Sequence, residues 1–387
     1  MPQPDFNNTA IAFAHKSNAD LKKARLLFNS FKYPLLVNYG PPLAAFALKL
    51  HLPIKGIIKN TIFAQFCGGE TISDCAKAID NLNKSHIGTI LDYSVEGEEK
   101  EEVFDATCKE IVDTVLRAAG NTAIPFSVFK ATGIGRFELL AKVNANETLT
   151  TEEQEEYQRF YNRFETICKS AYDNKVRLFV DAEETWIQDT IDNLTYEMMA
   201  KYNQDTAIIY NTIQCYRKDR IAHINSIINT LKCHIGFKIV RGAYMEKERA
   251  RAIDKGYPSP IQDTKALTDI EYNEAITLCL NHIDRVAICA GTHNEDSSHL
   301  LADLMAKKGI ANNNTQLYFA QLLGMSDHIS YNLANAGYNV AKYVPYGPVR
   351  AVLPYLGRRA KENSSVKGQV GRELKLITEE LKRRSKQ

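Results

Sequence analysis

One pattern recurs eight times between His86 and Val344: a short β-branched or aromatic run, a polar break, then a stretch with helical periodicity. The runs are His86–Tyr93, Ala123–Lys130, Val176–Asp181, Thr206–Ile213, Gly236–Val240, Val286–Ala290, Gln316–Gln321 and Tyr338–Val344. Strands alternating with helices imply a parallel sheet with helical crossovers. Eight such units favour a closed barrel over an open doubly wound sheet. The expected fold is α/β, a (βα)8 TIM-like barrel over residues 86–366 with a helical arm before it, residues 1–85, and a polar tail after it, residues 367–387. Thr150 and Glu153 have capping-box spacing and should open the helix that includes Gln154 to Tyr172. The acidic run Glu96–Glu102 reads as the solvated start of the first crossover helix, and the tail as one peripheral helix with a frayed end.

The arm shows helical but no strand patterning from Asn18 to Asn83, and Ala19 to Phe31 reads as a basic amphipathic helix. Pro41–Lys59 is the most apolar stretch of the chain and too short to span a bilayer. Packing against the main domain is the favoured expectation for it; rest on a membrane surface is the alternative, because its lysines suit an interfacial helix. A net charge of +2 gives no case for a nucleic-acid partner. Eight scattered cysteines, with no C-x-x-C and no Cys/His ligand spacing, argue for reduced core thiols and against a metal site. The start MPQPDFNNTA has neither the form of a secretory signal nor that of a transit peptide.

In a barrel of this kind chemistry collects at the C-terminal ends of the strands. Lys130 closes the second run and Asp181 the third, and Gln214 follows the fourth. Lys238, Arg241 and Tyr244 come from the fifth, Thr292, His293 and Asn294 follow the sixth, and Tyr343 belongs to the eighth. Any one of these has an ordinary structural reading; a strand-end Asp is often a helix N-cap. Together they form a donor-rich set that suits an extended anionic or polar cofactor, and Gly242-Ala243 would let it approach the backbone closely.

The last element, Tyr338 to Val366, reads as a strand to Val344, a break at Pro345–Pro348, and a helix with Pro348 in its first turn. Val349, Val352, Leu353, Leu356 and Ala360 form an apolar stripe, and Tyr355, Arg358, Arg359 and Glu362 share the other face. Two guanidiniums beside a phenol suit a planar anion, with Glu362 one turn away to hold Arg358. The competing reading is a solvated face with an ordinary ion pair. Pro354 and Gly357 weigh against it, since a surface helix gains nothing from two weak formers. There is no P-loop, no H-E-x-x-H and no G-x-S-x-G, and GIGRFE (Gly133–Glu138) lacks the third glycine of a dinucleotide fingerprint. His293 has no partner ligand at useful spacing and reads as a hydrogen-bonding residue.

The segments DAEETW (Asp181–Trp186), KIVRGAYMEKERARA (Lys238–Ala252), GTHNEDS (Gly291–Ser297), QLLGMSD (Gln321–Asp327) and KYVPYGPV…LPYLGRRAKEN (Lys342–Asn363) resemble the FAD-dependent proline dehydrogenases, more the stand-alone type than the bifunctional fusion. The resemblance runs from about Pro125 to Asn363. It implies a distorted (βα)8 barrel that binds FAD non-covalently, oxidises L-proline to Δ1-pyrroline-5-carboxylate and passes electrons to a membrane quinone. By the same resemblance Arg358 and Arg359 bind the carboxylate, Tyr343, Tyr355, Tyr244 and Leu322 wall the substrate, and Lys130, Asp181 and Glu362 order the site. The flavin contacts fall on Gln214, Lys238, Arg241, Gly242, Ala243, Thr292, His293 and Asn294. Lys238 stands where many bacterial members carry Arg, which keeps the charge but loses the planar fork. Tyr343 stands where hydroxyproline-preferring relatives have a smaller residue, and its phenol should crowd a ring hydroxyl. The expected location is cytoplasmic, with peripheral attachment to the inner membrane as the alternative, and mitochondrial in a eukaryote. Two other readings stand beside this one: a flavin barrel reductase using a nicotinamide donor, and a catalytically silent flavin- or amino-acid-binding module.

Overall fold

In the computed structural model, which describes residues 3–94, 99–365 and 369–386, eight parallel strands close into a barrel in sequence order. They are β1 Ile87–Tyr93, β2 Phe126–Lys130, β3 Arg177–Asp181, β4 Ile209–Gln214, β5 Ile235–Val240, β6 Val286–Gly291, β7 Leu317–Leu322 and β8 Val340–Tyr346. Each overlaps one of the eight expected runs, because strands buried on both faces read as apolar runs between polar breaks. The helices used below are α1 Asn18–Ser30, α2 Pro34–Lys49, α3 Glu101–Ala118, α4 Thr151–Asp173, α5 Thr185–Tyr202, α6 Arg220–Thr230, α7 Met245–Lys255, α8 Lys265–Leu280, α9 Glu295–Lys307, α10 Asp327–Asn335, α11 Leu353–Ser365 and α12 Gln369–Arg384. The chain divides into two compact units, one of Gly97–Ala320 and one of Met1–Glu96 with Gln321–Gln387.

Within the first of these units, Glu101 and Glu102 occupy the first turn of α3; residues 96–98 of the expected acidic start lie outside the described residues. The Thr150–Glu153 capping box forms in full and opens α4. Near the N-terminal ends of the strands, Phe126 and Phe179 stack at 4.3 Å, with Tyr210 and Tyr318 edge-on to Phe126. The Arg177 guanidinium lies over Phe126 and Tyr318 at 5.4 and 5.2 Å.

The second unit differs from expectation at two points. β8 does not break at Pro345: it runs on through Pro345 and Tyr346, paired in parallel with Asp92 and Tyr93 of β1. Pro345 lacks an N–H, but its carbonyl still accepts from the Gly68 N–H at 2.9 Å. The following helix begins at Leu353 instead of Pro348. Residues 348–352 form a turn in which Ala351 and Val352 N–H groups donate to the Pro348 carbonyl. This start puts Pro354 in the first turn, where proline is tolerated; a helix begun at Pro348 would carry it in the interior.

Val349, Val352, Leu353, Leu356 and Ala360 are buried as the stripe predicts, in one cluster with Phe28, Phe31, Val37, Phe63 and Phe66 of the arm. Gly357 answers to packing: a Cβ there would lie 3.2–3.3 Å from the Pro41 ring of α2. α12 packs Leu374, Leu376 and Ile377 into the same cluster. All eight cysteines are buried and unpaired. Among the described residues no helix is long and apolar enough to cross a membrane.

Candidate active site

The strand-end residues of the unit Gly97–Ala320 form a chain of contacts. Lys130 and Asp181 stand at the same register level on β2 and β3. Asp181 forms an ion pair with Lys238 of β5, whose side chain is 6% exposed and lies over the Phe179 ring at 5.3 Å. Gln214, the last residue of β4, is buried and donates through Nε2 to the Glu183 carbonyl at 2.7 Å. Glu183 also accepts from the Thr132 backbone N–H at 3.0 Å and from its hydroxyl, and its own N–H donates to Gln188 Oε1 at 2.7 Å. Burial pushes the Glu183 carboxyl up to about 7, with the Thr132 bonds pulling the other way. One glutamate therefore ties together the loops after β2 and β3 and the end of β4.

Arg241 follows β5 and is held from three sides. Its Nε donates to Asp269 of α8 at 2.6 Å, and its terminal nitrogens donate to the Thr292 hydroxyl at 2.7 Å and the Ser297 hydroxyl at 2.9 Å. The guanidinium also stacks over Tyr272 at 4.4 Å. Burial works against ionisation of Asp269, yet hydrogen bonds from Lys265 and Arg241 hold it below the usual carboxylate range. Gly242 has φ +121°, and a Cβ there would stand 2.6 Å from the Tyr216 ring. Ala243 is exposed; Tyr244 is half-buried and precedes α7, with Lys247 over its ring at 5.8 Å. Thr292 donates its N–H to the Ala320 carbonyl and accepts from the Asn294 N–H through its hydroxyl. His293 is half-buried. The Asn294 side chain accepts from the Ser297 N–H at 2.8 Å, which makes it the N-cap of α9.

In the other unit, Tyr343 lies buried on β8, and its carbonyl accepts from the Leu323 N–H beside Leu322. On α11 Tyr355 is 6% and Arg359 8% exposed, with the guanidinium 5.1 Å from the Tyr355 ring centre; Arg358 is half-buried. This is no solvated face. The Tyr355 hydroxyl is buried with no hydrogen-bond partner among the described residues, and burial pushes its phenol up, against the pull of Arg359. Glu362, expected to hold Arg358, accepts from Arg359 at 2.5 Å. Burial raises its carboxyl, opposed by Arg359 and then by Arg358.

Sequence reasoning passed over Glu183, Thr132, Glu248 and Asp269. Glu183 was visible as the third residue of DAEETW, an acid just past a strand end. Glu248, fully buried on α7, accepts from the Thr185 N–H and hydroxyl at 2.7 Å each, and nothing in its helical context marks it.

The strand-end set fits a polar, anionic cofactor. It combines buried cationic Lys238, the Gln214 amide, the Thr292 hydroxyl, and at Gly242 a backbone that no L side chain would follow.

Comparison with known proteins gives a consistent result. Residues 75–372 match the family model described as proline dehydrogenase. Similar relatives include proline dehydrogenase 1, mitochondrial, of Drosophila melanogaster, 40% identical over 245 residues, covering 60% of this chain and 36% of the fly protein. Another is the hydroxyproline dehydrogenase of Xenopus laevis, 32% identical over 415 residues, covering 96% of this chain and 88% of the frog protein. The chain thus spans only about a third of the fly relative but most of the frog one. Among solved structures, proline utilization A from Bdellovibrio bacteriovorus, inactivated by N-propargylglycine, superposes with TM-score 0.72 at 19% identity, over 83% of this chain and 36% of that one. That last likeness speaks to fold.

Proposed function

The chain belongs to the proline dehydrogenase family, and on that footing we propose that it oxidises L-proline to Δ1-pyrroline-5-carboxylate, using FAD and passing electrons to a membrane quinone. Lys238, Gln214, Arg241, Gly242, Ala243, Thr292, His293 and Asn294 would hold the FAD. When bound, the flavin supplies the two-electron acceptor.

The observation that carries the reading is on α11: a buried guanidinium against a buried tyrosine whose hydroxyl has no hydrogen-bond partner among the described residues, with a second guanidinium beside it. A buried hydroxyl left unpaired is costly unless a ligand completes it. Arg358 and Arg359 bind the amino acid's carboxylate, which a guanidinium fork matches bidentately. Glu362 fixes Arg359 for that task. Tyr343, Tyr355, Tyr244 and Leu322 wall the pyrrolidine ring, while Lys130 and Asp181 order the polar side. Oxidation removes the C5 hydrogen with its electron pair as the nitrogen lone pair forms the imine. The ring nitrogen must therefore be neutral, and its proton goes to water or to Asp181. Fixing both ends of a small substrate is the main contribution of these side chains. The Tyr343 phenol makes proline a better substrate than its ring-hydroxylated relative. The location that goes with this reading is the cytoplasm, or peripherally the inner membrane, and the mitochondrion in a eukaryote.

The test is spectroscopic and kinetic. Purified protein should show flavin absorption that bleaches with L-proline; bleaching by NADPH alone would point to a reductase instead. Arg358→Met should raise KM for proline about 10- to 100-fold, the worth of a charge-assisted hydrogen bond, with flavin content unchanged. An unchanged KM removes the carboxylate assignment.

A further inference from the structure

α2 is apolar nearly all round yet packs on one side only. Val37, Pro41, Ala44 and Leu48 face inward, toward the cluster shared with α11. Leu35, Leu36, Tyr39, Leu43, Phe46 and Leu50 are 56–73% exposed, and at 100° per residue they share an arc of about 100°. Leu52 and Ile57 extend the exposed surface past the helix end, and Leu26 and Tyr33 precede it. Ten of the seventeen large hydrophobic residues found exposed among the described residues fall in this one segment. A soluble surface rarely concentrates apolar area in this way without something to cover it.

The charges indicate what covers it. From Leu21 to Gly69 the sequence has seven Lys and Arg residues and not one Asp or Glu, although the rest of the chain is net acidic. Lys32 and Lys49 sit exposed at the two ends of α2, and Lys55 and Lys59 follow, half-exposed, sharing Glu70. An apolar stripe with free cations at both ends, Lys32 and Lys49, and beyond them Lys55 and Lys59 against a single carboxylate, complements an anionic lipid surface, with acyl chains under the stripe and headgroups against the lysines. It is poorly suited to a second copy of itself, since a two-fold contact would set cations against cations.

We infer that α2 and the segment through Ile57 form an interfacial docking element that seats this protein on an anionic membrane without crossing it. This assignment rests on the arm alone and holds whether or not the proposed activity does.

The experiment is co-sedimentation of the full chain with phosphatidylcholine vesicles, with and without about one third phosphatidylglycerol. The wild-type protein should pellet with the anionic vesicles, weakly with the neutral ones, and less in about 0.5 M salt. Leu43→Glu with Phe46→Glu should cut partitioning about tenfold or more with an unchanged melting temperature, because both positions are exposed. Ile253→Glu, at a still more exposed site on α7, should leave it unchanged. A wild-type protein that stays in the supernatant with both vesicles overturns the proposal, as does a double variant that pellets like wild type. Sedimentation velocity without lipid covers the remaining case: if wild type forms an oligomer that the double variant does not, and neither pellets, the stripe belongs to a second copy and the proposal fails.

Discussion

Glu183 illustrates what a single buried carboxyl can do to a fold's pH response. Its carboxyl titrates near 7 in the folded chain, against 4.5 for the free group. Between those values the folded state holds a proton that the unfolded state has released, so stability falls as pH rises through the window. Glu183→Gln should flatten that fall, which amounts to about 3 kcal/mol for a shift of this size. Urea unfolding of both proteins on either side of the window measures it; equal pH slopes would refute it. The same residue shows the limit of reading single positions. Asp181, Gln214 and Arg241 were legible because each ends or follows a strand, and Lys238 because it interrupts an apolar strand run. The role of Glu183 comes from where two loops and the end of β4 meet, which no local spacing reveals. Arg241 has a structural role beside its proposed ligand contact: its guanidinium is engaged by Asp269, Thr292 and Ser297, and so braces α8 and the loop into α9.

Among the elements, the strands were the easiest to foresee and the approach to α11 the hardest. Strand runs announce themselves because both faces are buried; the start of α11 depended on where Pro354 could be tolerated, and the end of β8 on the Gly68 N–H, far off in sequence, which donates to the Pro345 carbonyl. α10 and β8 are joined by a buried pair that the sequence did not disclose. Lys342 on β8 is fully buried and donates to Asp327 at 2.7 Å, and Lys16 of the arm donates to the other oxygen at 2.7 Å. Burial opposes ionisation of Asp327, but the charges of Lys16 and Lys342 hold it far below the usual range. A carboxyl held low stabilises the fold above its unfolded value and stops doing so as pH falls through the folded one. Asp327→Asn strands Lys342 in the interior and should cost about 3–5 kcal/mol, read as a lower urea midpoint at neutral pH. A loss under 1 kcal/mol would mean that water or relaxation satisfies Lys342.

On the scale of the whole molecule, the N-terminal residues belong to the body of the protein. Arg384 near the chain end donates to the Phe13 and Lys16 carbonyls at 2.7 Å each and is held by Glu380; Asn332 of α10 donates to the Asn8 carbonyl. Deleting the residues before Asn18 removes Lys16 from Asp327 and both acceptors from Arg384. It should lower stability by at least about 3 kcal/mol, visible as a depressed melting temperature; an unshifted melt would show these ties to be dispensable. The division of the chain also bears on its synthesis. Residues 97–320 leave the ribosome as an uninterrupted stretch, whereas the segment before them must wait for residues 321–387 before its partners exist. Throughout that interval an oily, cationic segment travels uncovered ahead of the nascent barrel strands, the period in which holdase chaperones, or an early landing on lipid, would decide its yield.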